Sequence, residues 1–266
     1  DKTTRDFRGF QNDKLQLTEG IDVYTPTYRN DGGKGKVRNV IYLIGDGMGL
    51  SQIVAAFYAN KGLTTLQMKY MGLQQNNALD AFTAAGGSAL ATGERHDNRH
   101  ISMSSEGEPY PSLSDFFHDK GMPVGVLTLG NVADATPTAF YGHSVERDNA
   151  DELTRCLMDG RVDLLCGSGI REFTRRSDGV DLISELEKQY DFVRSVDEIT
   201  ARKGKVICID ETMDDAAEQA NLTLLADATR ASIAKLQERG GKGFFLMVEG
   251  AKIDYAGHSR CLPGSI

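Results

Sequence analysis

Asp46, Thr83, Asp134, Thr136, Glu249, Asp254 and His258 are the side chains of this sequence whose types and settings could do chemistry. They comprise three Asp, one Glu, one His and two Thr hydroxyls, an oxygen-rich set with one imidazole that suits Mg and Zn. Taken singly, most have simpler readings. Asp46 behind a strand is a common helix N-cap, and Asp134 ahead of Thr-Pro can start a turn. Asp254 and His258, at i and i+4, can be a surface pair. Glu249 is harder to place so simply. Directly behind "FFLMV" it should be partly buried, and a buried carboxylate needs a partner. Thr83 lies in "AFTAAGGSALATG", whose small residues either let a helix lie close on a sheet or let a bound group reach backbone and hydroxyl.

The elements around these residues alternate. Val40 to Ile44 is a continuous apolar run, the pattern of a strand buried on both faces. "LSQIVAAFYAN" places Leu50, Ile53, Val54, Phe57 and Tyr58 along one face of an amphipathic helix. Strand-like "MPVGVLTLG", "VDLLCGSG", "GKVICID" and "GFFLMVEGA" are separated by helical "NADELTRCLMDG", "DLISELEKQY" and "TLLADATRASIAKLQERGG", the last with a stop signal at Gly240–Gly241. This alternation predicts one α/β domain over residues 1–266, with a mostly parallel sheet and helices on both faces. Residues 1–36 read as polar and irregular. In such sheets ligands sit beyond the carboxyl ends of the strands. Asp46, Thr83, Asp134, Thr136, Glu249, Asp254 and His258 are all expected at that edge.

Bulk properties narrow the function classes. A net charge of -8 and a pI near 5.2 argue against a nucleic-acid or anionic-membrane surface. They leave an anionic substrate open, because a bound metal reverses the sign locally. No apolar run approaches the ~20 residues of a membrane helix. The chain opens with no basic-then-apolar leader, as expected where a secretory signal was removed or never existed. Cys156, Cys166, Cys208 and Cys261 form no CxxC pair, so up to two disulfides and reduced structural thiols both stand.

Together these segments, in order from about Val40 to His258, resemble the bacterial alkaline phosphatases. "GDGMG" is similar to that family's first metal-binding turn, which makes Asp46 a carboxylate shared between a zinc and the magnesium. "TAAGGSALATG" resembles the nucleophile segment and puts Thr83 at the attacking hydroxyl. That favours access: Ala84 to Gly87 leave room for phosphate and metals, with packing kept as a reading for Gly86 and Gly87. "DATP" resembles the magnesium pair, Asp134 and Thr136. Arg147, thirteen residues after Asp134, falls where the family has its phosphate-binding arginine. "FFLMVEGAKIDYAGH" matches with Glu249 as the third magnesium ligand and Asp254 and His258 on the other zinc. The resemblance implies Zn- and Mg-dependent hydrolysis of phosphate monoesters through a phosphothreonine, in the periplasm or outside the cell. It also makes a homodimer an expectation, although no interface is legible in the sequence.

The sequence departs from the family pattern in several places. Phe82–Thr83 replaces the commoner Asp-Ser pair, removing a carboxylate that helps orient the arginine and implying an apolar lip for aromatic substrates. Tyr255 stands where some members carry a basic residue near the phosphate. The family's later Asp-His pair and further His have no counterpart before Ile266, eight residues past His258. His96, His100, His118 and His143 are not expected to replace them. The expectation is therefore an N-terminal portion with the magnesium-type ligands present and the zinc sites partly built. Two alternatives remain. One is a phosphodiesterase of the nucleotide pyrophosphatase kind, which resembles this superfamily but lacks the magnesium site and the phosphate arginine. The other is a catalytically incomplete piece that only binds metal.

Overall fold

The computed structural model describes residues 36–68, 70–72, 83–215, 221–239 and 241–266, and of Thr83 and Asp215 the backbone only. Phe82, Gly240 and nearly all of the first 36 residues lie outside that set. Six strands follow in chain order: β1 (Val40–Gly45), β2 (Val124–Asn131), β3 (Leu164–Ser168), β4 (Tyr190–Val193), β5 (Lys205–Ile209) and β6 (Phe245–Gly250). Between and after them come α1 (Leu50–Asn60), α2 (Thr83–Thr92), α3 (Leu113–Asp119), α4 (Ala135–Ala139), α5 (Ala150–Arg155), α6 (Arg171–Thr174), α7 (Leu182–Leu186), α8 (Thr212–Asp215), α9 (Leu224–Arg239), α10 (Lys252–His258) and α11 (Leu262–Ser265). The strands form one sheet in the order β1-β6-β2-β3-β5-β4, and every neighbouring pair is parallel. A parallel sheet with connecting helices is the architecture the alternation predicts.

Period-two side-chain direction divides the strands between two cores. Val124, Val126, Leu165, Ile207, Phe245 and Met247 point into one, and Leu127, Leu164, Cys166, Val206, Cys208, Leu246 and Val248 into the other. Phe245 stacks on Phe117 of α3 with ring centroids 4.9 Å apart. On the opposite face α9 lies across β2, β3 and β6, close enough that a Cβ on Gly125 would come within 2.7 Å of Leu236. A side chain there would have to displace the tips of Leu236 and Leu246.

The prediction fails at three places in the fold. The first is β1, which is half covered instead of buried on both faces. Tyr42 and Ile44 join the first core, but Ile41 is 42% and Leu43 64% exposed. The reason is position. β1 is an edge strand, and α9 packs chiefly on β2, β3 and β6. Second, the apolar face of α1 stays open among the described residues, with Leu50, Val54, Phe57 and Tyr58 exposed. Third, the helix read through Tyr190 ends at Leu186, and Tyr190 begins β4. Tyr190 and Val193 are buried there, so packing overrides the helical pattern. All four cysteines are free thiols.

Candidate active site

Parallel pairing brings the carboxyl ends of β1, β6 and β2 side by side. Ile44 and Thr128 are both in register with Glu249, so Thr128 and Glu249 point to the same face from adjacent strands. Thr128 Oγ1 donates to Glu249 Oε2 at 2.6 Å, and Glu249 is 2% exposed. The partner that a buried carboxylate demands is therefore a hydroxyl one strand away. Thr128 was not singled out from sequence; its signal was a lone hydroxyl at an inward position of "VGVLTLG". The hydroxyl of Thr136, from buried α4, reaches Glu249 as well.

Asp46 follows β1 directly, and the N-cap reading does not hold for it. The N-cap of α1 is Gly49, with no side-chain bond. Asp134 occupies the N-cap position of α4 but makes no capping bond; its Oδ2 instead accepts from the Tyr255 hydroxyl at 2.5 Å. On α10, His258 Nε2 lies 3.3 Å from Asp254 Oδ2. Gly47 lies against that aspartate. With φ at +64°, it is in the left-handed region, and a Cβ there would fall 2.6 Å from Asp254 Oδ1.

These acids burden one another. Burial first, then the charge of Asp46, push the Glu249 carboxyl up to about 8, against the Thr128 and Thr136 hydrogen bonds. Burial and the charge of Asp254 push Asp46 up to about 7, with Asp134 adding to the rise. Arg147 acts on Asp46 in the opposite sense. Its nearest ionic partner is Asp148 at 3.8 Å. Asp148 and Glu146, the residues flanking Arg147, are both held by Arg99. Arg99 thus takes up the neighbouring carboxylates, and among the described residues the Arg147 side chain has only the 3.8 Å ion pair with Asp148.

The donor set fits divalent cations. Glu249, Asp134 and Thr136 offer hard oxygens of the kind Mg takes, and Asp46, Asp254 and His258 offer the mixed oxygen and imidazole donors Zn takes. Among the described residues no three His, Cys, Asp or Glu side chains are already gathered into a cage. The carboxylates converge at the range of mutual repulsion, where a cation would relieve it. Three of the other four histidines are engaged elsewhere. His96 contacts Thr92 Oγ1 and the Met103 carbonyl, His100 the Ser104 carbonyl and His143 the Tyr110 carbonyl.

Thr83 opens α2, as its segment predicts. The small residues behind it serve packing in this structure. Ala84 is fully buried, and a Cβ on Gly87 would sit 3.3 Å from the Thr136 Cα. Close approach of α2 to α4 therefore sets Gly87, one turn into the nucleophile-like segment, against Thr136.

Residues 37–264 match the family model described as alkaline phosphatase. The chain belongs to the alkaline phosphatase family. It is 30% identical to alkaline phosphatase 4 of Bacillus subtilis, over 88% of this chain and 55% of that one. It is also 30% identical to streptomycin-6-phosphate phosphatase of Streptomyces griseus, over 92% of this chain and 69% of that one. Among solved structures, the alkaline phosphatase from the Antarctic bacterium TAB5 superimposes with a TM-score of 0.78 at 26% identity, covering 85% of this chain and 70% of that one. A variant of that Antarctic enzyme holds Mg in its M3 site. The chain spans about half the length of the first curated relatives it matches.

Proposed function

We propose that this alkaline phosphatase family chain carries the nucleophile, the phosphate-binding arginine and the magnesium-type ligands of a Zn- and Mg-dependent phosphomonoesterase. The observation that carries this reading is the convergence of Asp46, Asp134, Thr136 and Glu249 at the ends of three adjacent parallel strands. There, burial and then neighbouring carboxylates raise the protonation of Asp46 and Glu249. Glu249, Asp134 and Thr136 would hold Mg. Asp254 and His258 would hold Zn, and Asp46 would be shared between the two. Bound metal supplies a lowered hydroxyl pKa and charge neutralisation for the phosphate.

The remaining chemistry belongs to the chain. The Thr83 hydroxyl gives its proton to solvent and its oxygen attacks phosphorus while the bond to the alcohol oxygen breaks. The departing oxygen takes a proton from water to leave as the alcohol. Water then cleaves the phosphothreonine, releasing inorganic phosphate and restoring the hydroxyl. The Arg147 guanidinium grips two phosphate oxygens as charge develops on them. The N-terminal N–H groups of α2 add a favourable dipole. Arg147, Asp134, Thr136 and Glu249 favour monoesters over diesters, because a diesterase of the related kind lacks this arginine and magnesium set. Among the described residues no helix is long and apolar enough to cross a membrane. By family resemblance the protein works in the periplasm or outside the cell, with homodimers as the expected assembly.

The test is hydrolysis of an aryl phosphate monoester and the matching diester by the purified chain loaded with Zn and Mg. Thr83→Ala is expected to lower monoester turnover by at least about 1000-fold, because the loss of a group unique to the transition state falls fully on kcat. Equal turnover by parent and variant, a preference for the diester, or no hydrolysis by the parent overturns the proposal for this chain.

A further inference from the structure

We infer that Tyr255 is a positioning residue that fixes Asp134 for magnesium, an inference resting on the metal reading above. Tyr255 follows Asp254 on α10, and a helix turns successive residues by about 100°. The two side chains therefore leave the helix in different directions. Asp254 meets His258 and Gly47, whereas the Tyr255 hydroxyl crosses to the loop after β2 and donates to Asp134 Oδ2 at 2.5 Å. Gly130 leaves room for this crossing, since a Cβ there would lie 3.1 Å from Ala251 and 3.3 Å from the Tyr255 hydroxyl oxygen.

The tyrosine is itself supported. Lys252 Nζ sits 4.5 Å from its ring centroid and pairs with Asp214 Oδ1 at 2.6 Å. The Lys252 side chain is 8% exposed, so the ammonium acts on the ring with little screening by solvent. A cation at the ring draws density from it and strengthens the phenol as a donor. The line Asp214–Lys252–Tyr255–Asp134 joins α8, α10 and the entry to α4.

The choice of a phenol at this place has a chemical consequence. An ammonium or guanidinium against Asp134 would neutralise the carboxylate and compete with a metal for it. A phenol orients one carboxylate oxygen and leaves the full negative charge for the cation. Hydrogen-bond partners behind a metal ligand usually set its orientation and basicity, and losing one typically costs 10–100-fold in affinity.

The experiment is a calorimetric Mg titration of the purified chain and of Tyr255→Phe, Lys252→Met and Asp134→Asn, with unfolding of each followed in chelator. Tyr255→Phe keeps the ring and is expected to bind Mg about 10–100-fold more weakly while unfolding in chelator as the parent does. Lys252→Met is expected to weaken binding by a smaller factor. If Tyr255→Phe binds Mg as tightly as the parent while Asp134→Asn binds weakly, the positioning role is overturned and the metal reading stands. A Tyr255→Phe variant destabilised in chelator with unchanged Mg affinity also overturns it, because that is a purely structural residue. A parent that takes up no Mg, or an Asp134→Asn variant that binds as the parent does, defeats the metal reading itself and this inference with it.

Discussion

The two halves of the site use similar donors but hold them differently. Glu249 is 2% exposed, clasped by hydroxyls from β2 and α4, and Asp134 is tied by Tyr255. On the other side the His258 side chain is 57% exposed and its contact with Asp254 stays within one helix. The first half is assembled by residues that are 121 positions apart in the chain and adjacent only through strand register and helix packing. The second is assembled by the i, i+4 geometry of α10. A ligand set built across strands comes with burial and fixed orientation. One built along a single exposed helix has the right spacing but little to hold it still.

This contrast predicts a graded response. The largest effect is expected from Glu249→Gln. With Mg a hundredfold above its dissociation constant, the parent should gain about 2.7 kcal/mol of stability. The variant should gain almost none, read as the difference in unfolding free energy with and without Mg. A variant that keeps the full gain would show that the buried half is not the magnesium half.

Next comes Gly47→Ala, which forces a Cβ onto Asp254 in a left-handed backbone. It should cost about 1–3 kcal/mol in metal-free denaturant unfolding and weaken Zn binding as Asp254 is displaced. Parent-like stability would mean that the turn after β1 relaxes freely and does not fix the aspartate.

The smallest effect on stability is expected from His258→Ala, within about 0.5 kcal/mol in chelator because the ring is largely in solvent. The same variant should lower Zn affinity and leave Mg affinity intact, which separates the two halves directly. Equal loss of both metals would merge them into one site.

Much of this was legible in sequence because it depends on short-range rules. Apolar runs bounded by Gly and Asp located β1, β2, β3, β5 and β6, and the five family-like segments singled out Asp46, Thr83, Asp134, Thr136, Arg147, Glu249, Asp254 and His258 as candidates. What escaped depends on which strand lies beside which. Thr128 is one hydroxyl among apolar residues until β2 pairs with β6 and sets it on Glu249. The clasp of Arg99 on Glu146 and Asp148 spans 47 and 49 residues. β4 was missed because four residues at a sheet edge carry too little pattern to compete with the helix before them. The exposed faces of Ile41, Leu43 and α1 were missed for a related reason: an apolar run shows that a strand prefers burial, but not whether anything covers it.

By itself the sequence determined the alternating α/β character and the kinds of donor available, because both follow from residue type and a period of two or about 3.6. Only the tertiary structure decided that Glu249 is clasped by Thr128, that Tyr255 turns to Asp134, and that burial and the charge of Asp46 raise the protonation of Glu249. These are properties of distance and solvent exclusion. Neither exists until parallel pairing sets β1, β6 and β2 side by side and the covering helices remove water from their ends.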